Sequence, residues 1–100
     1  MKRAEIIERI TRAHIEKAIK QIDAQKWVPE RRNSRKYSLH YNGHDYPPKY
    51  LIMLAGKIAT GKTLTTDDHS GGEHDSNRVL LNLGFRKADI ARRPSRWPER

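Results

Sequence analysis

The side chains of this sequence best suited to chemistry are its cations, and the chemistry they suit is the neutralisation of phosphate. The 100-residue chain has 21 Lys and Arg against 12 Asp and Glu, a formal net charge of +9. The charge is segregated, because residues 63–77 contain four acids and no Lys or Arg. One-sided charge of this kind favours a polyanion as partner, nucleic acid first and an anionic membrane surface second. An ordinary solvated surface on a basic protein remains the alternative.

The candidate contacts with nucleic acid combine cations with polar residues that can approach phosphates or base edges. Asn and Arg are the types that read adenine and guanine edges, and consecutive glycines expose backbone N–H groups to phosphate. The candidates are Arg31, Arg32, Arg35, Lys36, His44, Lys49, Lys57, Lys62, Ser70, Gly71, Gly72, Ser76, Asn77 and Arg78.

A nucleotide-binding enzyme is the first rival, because Gly56 to Thr63 reads G-x-x-x-x-G-K-T. That motif works only between a buried strand and a helix, whose N-terminus meets the phosphates. The residues after Thr63 have no helical pattern, and the 37 that remain leave no room for a parallel sheet. We therefore interpret this segment as a helix end followed by a turn.

Metal-dependent and nucleophilic chemistry find equally little support. His69 and His74 lie in an acidic stretch, but their spacing matches no zinc or calcium loop. His40 and His44 are expected to face each other beside a predicted hairpin turn. The chain has no cysteine, which excludes disulfides and thiolate zinc sites, and no Ser/His/Asp arrangement. We predict a domain that is not an enzyme by itself and needs no metal or cofactor.

The elements that must position these residues begin with one helix from about Lys2 to Ala24. Isoleucines recur there every three to five residues, with Ala13 and Ala18 completing the stripe. A loop follows over residues 25–36. Strands at residues 37–41 and 44–46 then flank Asn42-Gly43, the preferred pair for a two-residue type I′ hairpin turn.

The second half of the chain predicts two more helices. The first runs from about Pro48 to Ala59 and ends at Gly61, with Leu51, Ile52, Ala55 and Ile58 buried. A polar connection over residues 62–74 leads to the second, residues 77–83, capped by Asp75 or Ser76 and burying Val79, Leu80 and Leu83. Residues 92–100 are expected to be a loose basic tail on a domain of residues 1–91. The fold class is α+β, a compact winged-helix-like domain of three helices with a β-hairpin.

Several short motifs in a fixed order resemble a known family. They are Tyr41-Asn-Gly-His-Asp-Tyr-Pro-Pro-Lys49, Ala59-Thr-Gly61, Leu64, Ser70-Gly-Gly72 and Leu83-Gly-Phe85. The pattern, over about residues 10–86, resembles the N-terminal head domain of McrA-like HNH restriction endonucleases, type IV enzymes that cut modified DNA. The resemblance implies a DNA-associated module, with Lys49 and residues 70–72 on its motifs. The sequence has no HNH nuclease or modified-base domain, so cleavage is not assigned to it.

These observations predict an accessory DNA-binding domain of a restriction or genome-defence system, non-catalytic by itself. It would bind duplex DNA mainly through phosphates, with modification or sequence readout by the third helix or the hairpin. The alternative is a protein-interaction module that regulates a nuclease encoded elsewhere through Trp27, Tyr46 or Trp97. RNA binding is a weaker third hypothesis. No apolar run is long enough for a membrane helix and the start is not a secretory signal, so we expect a cytoplasmic protein of open oligomeric state.

Overall fold

The fold is a four-helix arrangement against a small antiparallel sheet, seen in a computed structural model that describes residues 2–64 and 72–100, with side chains from residue 76 in the second range. The elements are α1 (Arg3–Glu8), α2 (Arg12–Gln25), β1 (Ser38–Tyr41), β2 (His44–Tyr46), α3 (Pro48–Thr60), α4 (Gly72–Asn82), a 3-10 turn (Lys87–Asp89) and β3 (Ile90–Ala91). The predicted α+β class with a β-hairpin is confirmed.

The first predicted helix is two helices, so the expectation of one continuous helix was wrong. Thr11 has an extended backbone and caps α2: its side chain accepts the His14 N–H, and its own N–H donates to His14 Nδ1 at 3.0 Å. A Thr that exchanges hydrogen bonds with the residue three positions later marks the start of a helix. The isoleucine spacing alone does not show this start. The break lets α1 fold against α3 and buries both Ile6 and Ile10.

The core lies between α2 and α3 and follows the predicted stripes. Ile15, Ile19 and Ile22 of α2 are buried together with Leu51 and Ile52 of α3. Two residues were assigned to these stripes wrongly. Ala13 is exposed, and Ile58, which lies on the same side of α3 as Leu51 but two turns nearer the end of the helix, is 37% exposed.

The hairpin forms at Asn42-Gly43, whose φ angles of 50° and 82° are the positive pair that a type I′ turn requires. The register pairs His40 with Asp45 and leaves His44 opposite Tyr41. The expectation that the two histidines face each other was therefore wrong, because strand residues four apart across a two-residue turn are not partners. His40 Nδ1 instead lies 2.9 Å from Asp45 Oδ1.

The sheet has a third strand that the sequence did not predict. Strand β3 pairs antiparallel with β1 on the side opposite β2, giving the order β2-β1-β3. A strand of two residues is too short to show the apolar–polar alternation by which strands are predicted. Because β1 is central, Ser38 as well as Leu39 is fully buried.

Helix α3 begins at Pro48 and ends at Gly61, whose φ of 78° is the left-handed C-terminal conformation, both as predicted. Gly56 lies within this helix rather than in a loop, so the apparent phosphate-loop motif is a helix end plus a turn. A Cβ at Gly56 would be 2.8 Å from Ile6 Cγ2, so the glycine is needed for the close approach of α1.

Helix α4 starts at Gly72, five residues earlier than expected. The predicted capping residues Asp75 and Ser76 therefore lie inside the helix, and Ser76 is fully buried. The predicted core position Leu80 is confirmed, while Val79 and Leu83 are half-buried against the core. Within the described ranges, no helix has the length and apolarity that crossing a membrane requires.

The loose tail predicted for residues 92–100 is instead packed in place. Val28 donates its N–H to the Pro98 carbonyl at 2.8 Å, and Arg100 donates to the Val28 carbonyl at 3.0 Å. Glu30 donates in turn to the Arg100 carbonyl at 2.8 Å. This parallel bridge places the last residues beside the loop that carries the first cluster of cations.

Candidate nucleic-acid interface

Two connecting segments, residues 29–36 and 93–100, are joined through the side chain of Asn33. Its Nδ2 donates to the Trp97 carbonyl at 2.7 Å and to Glu99 Oε2 at 2.9 Å. Its Oδ1 accepts from Ser95 Oγ at 3.0 Å and from the Trp97 N–H at 2.9 Å. Ser95 Oγ also accepts the Ser34 N–H at 2.7 Å. Asn33 therefore holds two chain segments, each rich in arginine, in one fixed relation.

Three neighbouring depressions follow these segments. The first cleft, of about 220 Å³, is lined by Arg31, Arg32, Asn33, Ser34, Arg35 and Lys49. The second cleft, of about 390 Å³, is lined by Arg31, Asn33, Ser34, Arg35, Pro94, Ser95, Arg96 and Glu99. The third groove, of about 580 Å³, is lined by Gly43, His44, Asp45, Arg93, Pro94, Arg96 and Trp97.

Shared walls make these depressions one continuous surface. Arg31 and Arg35 belong to both clefts, and Arg96 belongs to the second cleft and the third groove. We call the six cations along them the basic face. Its members are Arg31, Arg32, Arg35, Lys49, Arg93 and Arg96.

The basic face is positive because few acids lie on it. Among the described residues, no ion pair involves Arg31, Arg32, Lys49 or Arg96. The fifth, Arg93, is half-exposed and lies 3.6 Å from Asp45 Oδ2, a contact that exposure to water keeps weak.

Glu99 is the acid of the second cleft, and it stays ionised at neutral pH. The Asn33 side chain donates a hydrogen bond to it, and this bond, ahead of the Arg31 N–H and the nearby Arg35 charge, holds the pKa of Glu99 below its ordinary value. The carboxylate thus serves to orient Asn33 and the loop.

An aromatic cluster supports the third groove. The Trp97 ring stacks on Tyr46 with centroids 5.6 Å apart and planes at 27°, and His44 lies 5.8 Å from it. Trp97 Nε1 donates to the Asp45 carbonyl at 2.8 Å, which fixes the ring in place. Tyr46 is fully buried, and its hydroxyl donates to Asp23. Burial first, and then Asp23, raise the pKa of Tyr46.

The fold brings some of the predicted contact residues together and leaves others apart. Arg31, Arg32, Arg35, His44 and Lys49 line the three depressions. Lys36 follows them in sequence and is exposed outside the clefts.

The other predicted residues lie elsewhere. Lys57 and Lys62 are exposed at the far end of α3, about 12 Å or more along the helix axis from Lys49 at a rise of about 1.5 Å per residue. Of the three candidates on α4, Ser76 is fully buried, Asn77 is half-buried and Arg78 is exposed. The predicted exposed N-terminus of this helix at Ser76 was wrong, since α4 begins at Gly72. Ser70 and Gly71 lie outside the described residues.

Sequence reasoning missed Arg93, Arg96 and the organising role of Asn33. Both arginines lie in the segment predicted to be a loose basic tail. The signal was an alternation at the end of the chain, where buried Ser95 and half-buried Trp97 flank exposed Arg96. Nothing local distinguishes Asn33, because its partners lie more than 60 residues away.

Comparison with known proteins gives one match. A family model described as "ScoMcrA-like, N-terminal head domain" matches residues 8–89. No curated protein and no solved structure matches the chain significantly. The match covers Arg31, Arg32, Arg35 and Lys49 and ends before Arg93 and Arg96.

Proposed function

Because the chain belongs to the family of ScoMcrA-like N-terminal head domains, we propose that it is a DNA-binding domain of a restriction or genome-defence system. The observation that carries the proposal is the basic face, where six cations from loop 29–36, helix α3 and segment 93–96 line one continuous surface. The family is that of the head domain and not of a nuclease. We therefore propose that the domain binds and that a separate nuclease domain or subunit cuts.

Phosphate neutralisation supplies most of the proposed affinity. Each Lys or Arg that contacts a phosphate releases condensed counterions, and arginine also matches phosphate geometry with two parallel hydrogen bonds. Because Asn33 already holds the two segments together, little loop entropy is lost on binding. The spread of cations over two clefts and a groove suits the rows of phosphates along duplex DNA.

Base readout, in this proposal, belongs to the hairpin side of the basic face rather than to helix α4. His44 is exposed at the turn and lines the third groove beside Arg93 and Arg96. On α4, Ser76 is buried and Asn77 is half-buried, so Arg78 is the exposed member of these three candidates. Recognition of modified bases would add to phosphate binding from this side.

The alternative, a docking module built on exposed aromatic residues, has less support. Of its three candidate anchors, Tyr46 is fully buried, and Trp27 and Trp97 are half-buried. The guanidinium carbon of Arg100 lies over the Trp27 ring, 5.7 Å from the centroid of that ring. Their aromatic surface is largely used inside the protein.

Two triple variants of equal charge test the proposal. The face triple, Arg31→Ala with Lys49→Ala and Arg96→Ala, removes three cations of the basic face. The control triple, Arg9→Ala with Lys17→Ala and Lys20→Ala, removes three exposed cations that line none of the depressions.

Affinity for a 20-base-pair duplex at low salt is then measured by fluorescence anisotropy. We expect the face triple to bind at least about tenfold more weakly, since each lost phosphate contact removes a counterion-release term, and the control triple to stay near wild type. Equal weakening by both triples would mean that net charge alone attracts DNA. Absence of wild-type binding at low salt would refute DNA binding itself.

A further inference from the structure

The third groove has a chemistry that phosphate binding does not use. Its lining includes the half-buried Trp97, the exposed His44, the cations Arg93 and Arg96 and the acid Asp45. The Trp97 ring rests on the buried Tyr46 ring, and its N–H is bonded to the Asp45 carbonyl. The indole is thus a rigid platform whose position does not depend on a ligand.

We propose that this groove receives one unstacked base of the DNA, which stacks on Trp97 while Arg93 and Arg96 bind the flanking phosphates. The inference rests on the proposed function and adds the kind of DNA that the domain prefers: a duplex with an unpaired or extruded base. Aromatic side chains next to cations are the arrangement by which proteins hold single unstacked bases, because every base offers a π-face.

The size and charge of the groove favour a base over other aromatic-seeking ligands. Its volume of about 580 Å³ lies within the range of roughly 300–1,000 Å³ typical of small-molecule sites. Aromatic clusters also attract organic cations. Here the two cations Arg93 and Arg96 outnumber the one acid of the groove, Asp45. The net positive charge disfavours an organic cation and attracts the phosphates that flank a base.

The pre-set position of Trp97 gives the groove its selectivity. A base in an intact duplex is stacked and paired, so its extrusion costs free energy, and a bulged base avoids most of that cost. The groove should therefore bind DNA with an unpaired base more tightly than fully paired DNA. Four of the groove residues, at positions 93, 94, 96 and 97, lie beyond the segment that matches the family model.

The experiment uses Trp97 as its own reporter. Trp27→Phe leaves Trp97 as the single tryptophan and keeps an aromatic ring under Arg100. This protein is titrated with a fully paired duplex and with the same duplex carrying a single-base bulge.

We expect the bulged duplex to bind about 5- to 150-fold more tightly, the range for stacking one base on an aromatic side chain, and to quench Trp97 emission. Trp97→Ala in the wild-type background should bring the ratio of the two affinities close to one, with circular dichroism confirming the fold. Because the emission readout keeps Trp97 in place, the test does not depend on that variant folding.

The outcomes separate this inference from the proposed function. Equal binding of the two duplexes with no change in Trp97 emission would overturn the base site and leave DNA binding standing. Failure to bind either duplex would overturn both. Adenosine monophosphate is the third probe: if it quenches Trp97 while the bulge brings no gain, the groove holds free nucleotides and the proposal for DNA is overturned.

Discussion

Replacing Asn33 with alanine is the most informative perturbation of this domain, because one side chain joins the two segments of the basic face. The change removes four hydrogen bonds, of which the three to Ser95 and Trp97 are half-buried and the one to Glu99 is exposed. At a net value of about 1 kcal/mol each, the three half-buried bonds sum to about 3 kcal/mol. That is a large part of the roughly 5–15 kcal/mol by which a small domain is stable.

Urea denaturation measures the effect. With an m-value of about 1.5 kcal/mol/M, within the usual range for a small domain, the unfolding midpoint should fall by about 2 M. Asn82→Ala is the matched control, since Asn82 is exposed at the end of α4, and it should change stability by less than about 0.5 kcal/mol. Duplex affinity of folded Asn33→Ala should fall as well, because the arginines of loop 29–36 and segment 93–96 lose their fixed spacing.

The pKa of Glu99 gives a second readout of the same contact. The Asn33 bond lowers this pKa in the folded state, so its contribution to stability is present above the unfolded pKa and is lost as the pH falls through the folded one. In Asn33→Ala the pKa of Glu99 should rise toward its ordinary value in an NMR titration. If Asn33→Ala matches Asn82→Ala in midpoint, Glu99 pKa and DNA affinity, Asn33 does not organise the basic face.

Three further substitutions test contacts that stabilise the fold. Tyr46→Phe removes the hydroxyl bonded to Asp23 and should cost about 1.5–3 kcal/mol by urea denaturation. Because the folded pKa of Tyr46 is raised, wild-type stability should decline as the pH rises above about 10, the ordinary tyrosine value, and the variant should decline less. Gly56→Ala places a Cβ 2.8 Å from Ile6 Cγ2 and should lower thermal stability by about 1–3 kcal/mol. Thr11→Ala removes the α2 cap and should cost about 1 kcal/mol, also by thermal unfolding.

Each of these three substitutions has a control substitution. Tyr37→Phe changes a half-buried tyrosine, Lys57→Ala an exposed residue next to Gly56, and Thr63→Ala an exposed threonine. All three should stay within about 0.5 kcal/mol of wild type. A control that destabilises as much as its partner variant would remove the specific contact as the explanation.

The fold could be predicted wherever a pattern repeats or a turn demands particular residues. The isoleucine spacing of α2, the Asn42-Gly43 turn and the start of α3 at Pro48 are all confirmed. The break between α1 and α2 was not predicted, because the isoleucines keep a helical spacing from Ile6 through Ile10 to Ile15 although the helix is interrupted before Thr11. Strand β3 was not predicted, because two residues are too few to show the alternation of apolar and polar side chains that marks a strand.

The candidate site was predictable in its composition but not in its assembly. Arg31, Arg32, Arg35 and Lys49 could be identified as candidate phosphate contacts from their charge alone. These residues share one surface with Arg96 because Val28 pairs with residues 98–100 and Asn33 hydrogen-bonds to Trp97. Both are tertiary contacts between segments that are distant in sequence. Local sequence patterns do not indicate such contacts, which is why the sequence predicted a loose tail at the end of the chain.

The salt dependence of duplex binding tests the central claim, that the basic face binds DNA phosphates, most directly. If all six cations neutralise phosphates, the logarithm of the wild-type association constant should fall with a slope of about −5 per log unit of salt, at about 0.9 per phosphate. The face triple should reduce the magnitude of that slope by about 2.7, and the control triple should leave it unchanged. A slope that is shallow in wild type, or that is the same in both triples, would contradict the claim.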